Sequence, residues 1–340
     1  MPDWQTMKTL IVGRDEMKGL VTMSEVVDLV EQAFRAHGQR NYIMDPKFHI
    51  IIPRYGGEWE AMPSYLGEPE SAACKWVAIR DKNREKYGLS TVISTIVYTD
   101  PETGFPLMIC DGTYHTNMRT GASAAVSAKW LARKNSKSIG LVGAGGVAVG
   151  AIRSMACVGN YKEVKVWSRQ KKNADAFVDK MQKEFEYDMV AVDYVKEAVD
   201  TDIVITSTLA MSPVVKDEWI GEGTHIAALG ADMEGKQELE AKLLKRSRIF
   251  MDDAGQCVRD GEINVPLRKG ELKIEDVIGT IGEVITGKKK GRITDSDITI
   301  FDSTGIALQD AAVITLEYKR ALEKGVGIMK RMNGTGYADF

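Results

Sequence analysis

Four cysteines, Cys74, Cys110, Cys157 and Cys257, are scattered over 340 residues, and none forms a C-x-x-C pair. That argues against a disulfide framework or a thiolate zinc site and reads as reduced, mostly buried thiols. The four histidines show no metal-ligand spacing, so no metal is expected. An excess of one charge is also lacking. The 45 Lys and Arg nearly match the 48 Asp and Glu, and a net charge of −3 offers no field for nucleic acid. The densest basic run, Lys288-Lys289-Lys290, reads as a solvated helix end. No apolar run approaches the roughly 20 residues of a membrane span. The opening Met1-Pro2-Asp3-Trp4 has no basic-then-apolar order of a secretory signal, so a cytoplasmic location is expected. Repeats and low-complexity segments are absent too.

What is there is a globular composition, 44% hydrophobic and 27% charged, in a chain long enough for two domains. The most telling stretch is Ser138 to Val149. An apolar run, Ile139 to Val142, ends in Gly143-Ala144-Gly145-Gly146-Val147-Ala148, which fits G-x-G-x-x-G/A. Gly143 permits a tight turn, Gly145 lets the backbone approach a pyrophosphate, and Ala148 lets helix and strand pack closely. A helix over 147–158 would aim its N-terminal amides at the phosphates. A bland glycine turn is the alternative, but strand before, helix after and a second strand at 164–167 favour a dinucleotide site.

Before this stretch the chain reads differently. A strand at 9–12 precedes an amphipathic helix, with Thr22 and Glu25 as a capping box and Val26, Val27, Leu29, Val30 and Phe34 as its buried stripe. Runs at 48–52, 72–79, 91–98 and 106–109 suggest a largely antiparallel sheet, and 118–132 reads as a helix. From Ser138, strands are expected at 138–142, 163–167, 189–193, 203–206, 224–228, 248–251 and 298–301. Helices fall between most of them, including 172–186 and 237–245. A helix over 306–323 returns to the first domain. The fold class is therefore α/β: a Rossmann-type doubly wound parallel sheet over 136–305, plus a smaller α+β domain from 1–135 with 306–340.

The second wound strand ends in Val166-Trp167-Ser168-Arg169. An NAD site usually has an acidic residue here for the ribose 2′-hydroxyl, whereas Ser168, Arg169 and Lys171 suit a 2′-phosphate; NADP is favoured, with NAD possible. Three further segments stand out. They are Glu60-Ala61-Met62-Pro63 ahead of a strand holding Lys75, Met118-Arg119-Thr120-Gly121-Ala122 opening a helix, and Gly230-Ala231-Asp232-Met233-Glu234-Gly235-Lys236-Gln237-Glu238-Leu239 after the fifth wound strand. Asp232 could simply cap a helix after Gly235.

The second and third of these segments, with Val142-Gly143-Ala144-Gly145, Thr99-Asp100-Pro101-Glu102-Thr103-Gly104-Phe105-Pro106-Leu107 and Ile300-Phe301-Asp302-Ser303-Thr304-Gly305-Ile306-Ala307-Leu308-Gln309-Asp310, carry a resemblance over nearly the whole chain. The chain resembles the ornithine cyclodeaminase/mu-crystallin family, and within it the archaeal-type alanine dehydrogenases. The resemblance implies that Lys75 contacts substrate near its reacting carbon, where a lysine can orient an acid or shuttle a proton. It implies that Lys47 grips the substrate carboxylate, although a solvated loop lysine is nearly as good a reading. Arg119 would lie near both cofactor and substrate, Asp232 would activate water or handle the amine proton, and Glu60, Met62 and Thr304 would line the substrate site. Cofactor contacts would come from Thr91, Arg119, Thr120, Gly143, Gly145, Gly146, Val147, Ser168, Arg169, Thr208, Leu229, Asp232, Lys236 and Ser303. A homodimer through the first domain is implied as well.

Two departures point in opposite directions. Alanine dehydrogenase-like chains tend to carry arginine where Glu60 stands, and a glutamate could bind a second substrate amino group. Cyclodeaminases, which retain NAD, carry an acidic residue where Ser168 stands. The reading is an NAD(P)-dependent oxidoreductase acting on the C–N bond of an amino acid, the matching keto acid or a cyclic imine. The alternatives are an ornithine cyclodeaminase-type ammonia-lyase and an NADPH-regulated binding protein of mu-crystallin type. No nucleic acid, membrane or protein partner beyond a second copy is expected.

Overall fold

The computed structural model describes residues 7–80 and 82–332, so the reading of Met1-Pro2-Asp3-Trp4 falls outside it. In chain order the strands are β1 (Thr9–Val12), β2 (Tyr42–Met44), β3 (Phe48–Ile51), β4 (Glu58–Gly67), β5 (Glu70–Ile79), β6 (Val92–Thr99) and β7 (Pro106–Asp111). There follow β8 (Ser138–Val142), β9 (Glu163–Trp167), β10 (Asp188–Ala191), β11 (Ile203–Thr206), β12 (His225–Ala228), β13 (Arg248–Met251), β14 (Val277–Thr280), β15 (Thr299–Asp302) and β16 (Ile328–Lys330). The chain divides into two compact units, one of Met1–Thr22, Asn41–Thr116 and Ala307–Phe340, the other of Met23–Arg40 and Asn117–Ile306. This differs from a division at residue 136, for reasons that lie in two helices described below.

The first unit is built on a sheet in the order β16-β1-β7-β6-β5-β4-β2, with β3 paired to β4. Only β1 and β7 pair in parallel among these; the rest is antiparallel, as the run of strands without intervening helices requires. β4 was not expected as a strand, because its pattern is inverted. Its buried face carries Glu58, Glu60, Met62, Ser64 and Leu66, while Trp59, Ala61, Pro63 and Tyr65 face the other way. The Ala307–Lys324 helix lies on the buried face. Ser64 Oγ donates to the Ala307 carbonyl at 3.0 Å and Ser71 Oγ to the Ala311 carbonyl at 2.7 Å. Met62, Val77 and Ala307 form the apolar contact beside them.

The second unit is an eight-stranded sheet in the order β10-β9-β8-β11-β12-β15-β13-β14, parallel throughout. Its central strands are buried on both faces, which demands continuous apolar runs such as Ile203 to Thr206. Val142, Val204, Ile226, Ile249 and Ile300 meet in its core. β14 was not expected; it is a half-buried edge strand weakened as a signal by Gly279.

Several expected helix boundaries are corrected. The helix read from residue 118 begins at Gly112 and runs to Leu131, with Asp111 Oδ2 accepting from the Tyr114 amide at 3.0 Å. Thr113, Tyr114 and Thr116 are weak helix formers, which hid the first turns. Arg119 and Thr120 therefore lie inside the helix, not at its start. Of 237–245, only Ala241–Lys245 is helical, because Val215 bridges Leu239 and the Glu238 and Leu239 amides are taken by Glu262. The helix expected over 172–186 is Lys171–Met181 followed by a single 3₁₀ turn.

The Met23–Gln39 helix belongs to the second unit because its buried stripe is seated there. Val26, Val27, Val30 and Phe34 are buried and Leu29 half-buried. Phe34 meets Phe301 edge to face at 5.8 Å, and His37 Nε2 lies 3.1 Å from Asp253 Oδ2. The Gly112–Leu131 helix passes from the first unit into the second, where Gly121 packs against the Gly146–Met155 helix. A Cβ on Gly121 would fall 2.1 Å from the Gly150 carbonyl carbon. Backbone cannot give way as a side-chain tip can, so Gly121→Ala is expected to destabilise by about 1–3 kcal/mol or more. Urea unfolding measures this; a variant as stable as the parent would show that the two helices do not approach so closely.

Candidate functional site

The expected cofactor residues of the second unit converge on one edge. Parallel strands all end on the same side of the sheet, and open α/β sheets take ligands there. Gly143, Gly145, Gly146 and Val147 follow β8; Ser168 and Arg169 follow β9; Thr208 follows β11; Leu229, Asp232 and Lys236 follow β12; Ser303 and Thr304 follow β15. The strand ends are laced together: the Gly143 amide donates to Trp167, Ser207 to Val142, Leu229 to Thr206 and Ser303 to Ala228, all at 2.9–3.0 Å.

The glycine turn fits a pyrophosphate. Gly143 has φ +122°, and a Cβ there would lie 2.7 Å from the Ser207 carbonyl oxygen. Gly145 is the N-cap of the Gly146–Met155 helix; no side chain caps it, and a Cβ on it would meet open space. The first-turn amides are thus left to an anion, and the macrodipole favours one. Ser168 is half-buried and Arg169 exposed beside this turn's neighbouring strand.

Buried carboxylates hold the loops of this edge. Glu238 accepts from the Thr206 hydroxyl at 2.5 Å, the Thr208 amide at 2.7 Å and the Gly230 amide at 3.0 Å. Glu262 accepts from the Glu238 and Leu239 amides, and Asp302 from those of Glu262 and Ile263. Asp252 accepts from Ser303 Oγ at 3.0 Å and from the Gly305 amide at 2.8 Å, with Thr304 Oγ1 at 3.3 Å. The hydroxyls of Ser303 and Thr304 are thus engaged with Asp252. Burial, reinforced by the Asp252 charge and opposed by the amides, pushes the Asp302 carboxyl up to about 8. Burial raises Glu262 well above the carboxylate range, and Glu238 and Asp252 are raised for the same leading reason. Asp232 does not cap a helix: the next one begins at Ala241 with Glu240 as its N-cap, and Asp232 Oδ1 pairs with the buried Lys236 Nζ at 2.6 Å. Arg119 is 4% exposed, and a Cβ on Gly305 would fall 2.4 Å from its Nη1. Thr120 is buried on the same helix.

In the first unit, Lys75 is 1% exposed and stands opposite Met62 in the β4–β5 register. Its Nζ donates to Asp310 Oδ1 at 3.1 Å and Oδ2 at 2.8 Å. Lys47 is also buried rather than solvated, with Nζ 3.5 Å from Glu60 Oε1. His49 Nδ1 lies 2.5 Å from Glu58 Oε2 and 3.9 Å from Glu60 Oε1. His49, Glu58 and Glu60 place ligand atoms within 4.8 Å of one another, a donor set that suits a divalent cation, although Lys47 already brings a cation to it. Thr91 is half-buried just before β6.

The sequence assigns no role to Asp310, His115, Glu317, Glu58 or Glu238, although Asp310 and Glu238 stand in the segments it singles out. For Asp310 a signal existed: a lysine inside an apolar strand demands a buried counter-charge, and Asp310 stands in one of the segments already singled out. The cysteines are free, with Cys110 and Cys257 buried and Cys157 exposed. Among the described residues, no helix is long and apolar enough to cross a membrane.

The family model described as the ornithine cyclodeaminase/mu-crystallin family matches residues 7–325. A relative named alanine dehydrogenase, from Archaeoglobus fulgidus, is 43% identical over 94% of this chain and 98% of its own. The solved structure of an archaeal alanine dehydrogenase dimer with bound NAD has a TM-score of 0.91 at 42% identity, covering 96% of this chain and 100% of that one. The Thermococcus litoralis Delta(1)-pyrroline-2-carboxylate reductase, in complex with NADH and L-proline, has a TM-score of 0.92 at 35% identity, covering 94% and 99%.

The Asp302 carboxyl gives a pH signature. A folded-state value near 8 against an ordinary 3.8 means that the native state holds a proton the unfolded chain has released. Its stabilisation is complete below about pH 4 and is lost as pH rises through about 8. Asp302→Asn keeps an acceptor for one backbone amide but cannot titrate. It is expected to flatten the fall in stability between about pH 4 and 8 by up to ~1.4 kcal/mol per pH unit. Urea unfolding across that range checks it; an unchanged slope would mean that Asp302 is ionised in the native state.

Proposed function

Because this chain belongs to the ornithine cyclodeaminase/mu-crystallin family, we propose that it is an NAD(P)-dependent oxidoreductase acting on the C–N bond of an α-amino acid or its imine. The observation that carries the reading is the uncapped glycine turn at the edge of an all-parallel sheet, in a chain whose relatives are named for alanine oxidation and imine reduction. Of the family's chemistries, net redox fits an exchangeable dinucleotide best.

A nicotinamide dinucleotide supplies or accepts the hydride when bound. The residues do the rest. The open face of Gly145 and the amides of the following turn take the pyrophosphate, and Ser168 and Arg169 take the ribose phosphate, so NADP(H) is preferred to NAD(H). Thr91, Thr120, Thr208, Leu229, Lys236 and Ser303 complete the cofactor's surroundings. Lys47 and Arg119 neutralise the substrate carboxylate. Lys75 orients the reacting carbon and moves a proton, and Asp232 handles the amine proton. In the oxidative direction, loss of hydride from the α-carbon and of a proton from nitrogen leaves an imine; water adds, and keto acid and ammonia depart. Reversed, the same steps are reductive amination or reduction of a cyclic imine.

A second reading has one observation in its favour. Two buried carboxylates, Glu58 and Glu60, stand beside one buried lysine, Lys47, which suits a substrate with a second amino group, as in a cyclodeaminase. A panel of amino acids with NAD or NADP, and of keto acids plus ammonia or cyclic imines with NADH or NADPH, followed at 340 nm, separates the two. Net oxidation of NADPH is expected, and Lys75→Met should lower kcat by at least about 100-fold with cofactor binding intact. Proline formation from ornithine without net change at 340 nm would establish the lyase, and tenfold better use of NADH would overturn the cofactor preference.

The outward face of the first unit's sheet carries Ile43, Phe48, Trp76 and Ile93, each at least 40% exposed. Apolar exposure on that scale marks an interface, and a second copy of the chain is the occupant, in keeping with the dimeric relative. Light scattering is expected to give twice the 37.5 kDa chain mass, and Trp76→Lys to shift it toward one; a monomeric parent would sink the assignment.

A further inference from the structure

Beyond Lys75 the first unit contains a buried line of charge that nothing in the proposed reaction uses. Lys75 Nζ reaches Asp310 Oδ2 at 2.8 Å; Asp310 Oδ1 lies 3.3 Å from His115 Nε2; His115 Nδ1 lies 2.6 Å from Glu317 Oε2. All four side chains are at most 2% exposed. They come from three elements: Lys75 from β5, His115 from the start of the Gly112–Leu131 helix, and Asp310 and Glu317 two turns apart on one face of the Ala307–Lys324 helix.

We propose that His115 and Glu317 are positioning residues, which through Asp310 fix the place of the Lys75 ammonium group and how readily it releases its proton. The inference rests on the reading of Lys75 as a substrate-contacting residue. Charge order is the first argument. The two carboxylates flanking the imidazole, Glu317 foremost, outweigh the effect of burial and hold His115 protonated, its value raised to about 9. The line then alternates cation, anion, cation, anion and is neutral as a whole. With the imidazolium in place, Asp310 shares its charge between two cations, and Lys75 is not locked as an ammonium ion. With it gone, Asp310 would serve Lys75 alone and bind its proton more tightly.

Geometry is the second argument. His115 Nε2 and Asp310 Oδ1 stand 3.3 Å apart without forming a regular hydrogen bond, so they act as a charge contact rather than a rigid link. Two thiols also feel the line: burial first, and after it the charge of Glu317 on Cys110 of β7 and of Asp310 on Cys74 of β5, shift both upward and keep them neutral. Adhesion does not explain the arrangement. Ser64 and Ser71 already tie the long helix to the sheet, and Tyr98 and Tyr318 pack at 5.4 Å between centroids. Apolar side chains would hold these elements together without desolvating four charges.

The test uses the full-length protein with His115→Gln/Glu317→Gln, which removes both distal charges and keeps hydrogen-bonding groups. Thermal unfolding and NADPH binding establish that the variant is folded. The expected result is a kcat lower by about 10- to 100-fold, the scale for a displaced catalytic group. KM should change little, and the pH limb belonging to Lys75 should move to higher pH. On a Lys75→Met background the same pair of changes should add no further loss in kcat, because it acts through Lys75. A lowered melting temperature with kcat and pH profile unmoved, or an equal loss on the Lys75→Met background, would overturn the proposal. A second arm needs no turnover. The His115 ring resonances, assigned by their disappearance in His115→Gln, should titrate at higher pH in Lys75→Met than in the parent, since Asp310 is then left to His115 alone. Indifference of His115 to Lys75→Met would overturn the relay whatever the protein turns over. A response without amino-acid or imine turnover would uphold it and reject only the dehydrogenase reading.

Discussion

A charge buried in a sheet must be countered where it stands, and much of the first unit follows from that one requirement at Lys75. An unpaired ammonium ion in a dry interior costs several kcal/mol even after relaxation. The counter-charge, Asp310, comes from a helix more than two hundred residues away in sequence, so the chain must return to this unit after completing the second one. Ser64 and Ser71 anchor that helix by its carbonyls, which sets the height of Asp310 against the β4–β5 register. The buried face of β4 is polar for the same reason. Glu58 and Glu60 answer Lys47 and His49, and the apolar residues of the strand are turned outward.

The second unit solves a different problem with the same groups. A parallel sheet leaves its ligand edge to loops, and loops supply backbone amides without regular partners. Here carboxylates take them: Glu238, Glu262, Asp302 and Asp252 each accept from two or more backbone amides or hydroxyls at the strand ends. Such acceptors fix the loops after β11, β12 and β15 around the glycine turn while leaving that turn's own amides uncommitted. A cofactor edge built this way is rigid where it supports and open where it binds, which is the condition for binding without a large ordering cost. Burial, reinforced by the neighbouring carboxylates, raises their proton affinity, so the scaffold of the edge itself loses stability as pH rises toward about 8.

What the sequence determined by itself was whatever depends on local pattern. Strands buried on both faces must be apolar runs, and a tight phosphate turn must have glycine at Gly143; both are visible in one dimension, so β8, β9, β11, β13 and the dinucleotide half were legible. So was the burial of Lys75, because a lysine inside an apolar strand has no water to turn to and needs a counter-charge. Tertiary structure alone decided the features whose cause lies elsewhere in the chain. β4 was illegible because its inner face is polar, which makes sense only once Lys47, His49 and the β5 strand lie beside it. The stretch 237–240 looked helical by composition, but Glu262 captured its amides. The partners of Lys75 could not be named from sequence, since a buried charge announces that it needs a counter-ion and only the folded chain decides which carboxylate arrives.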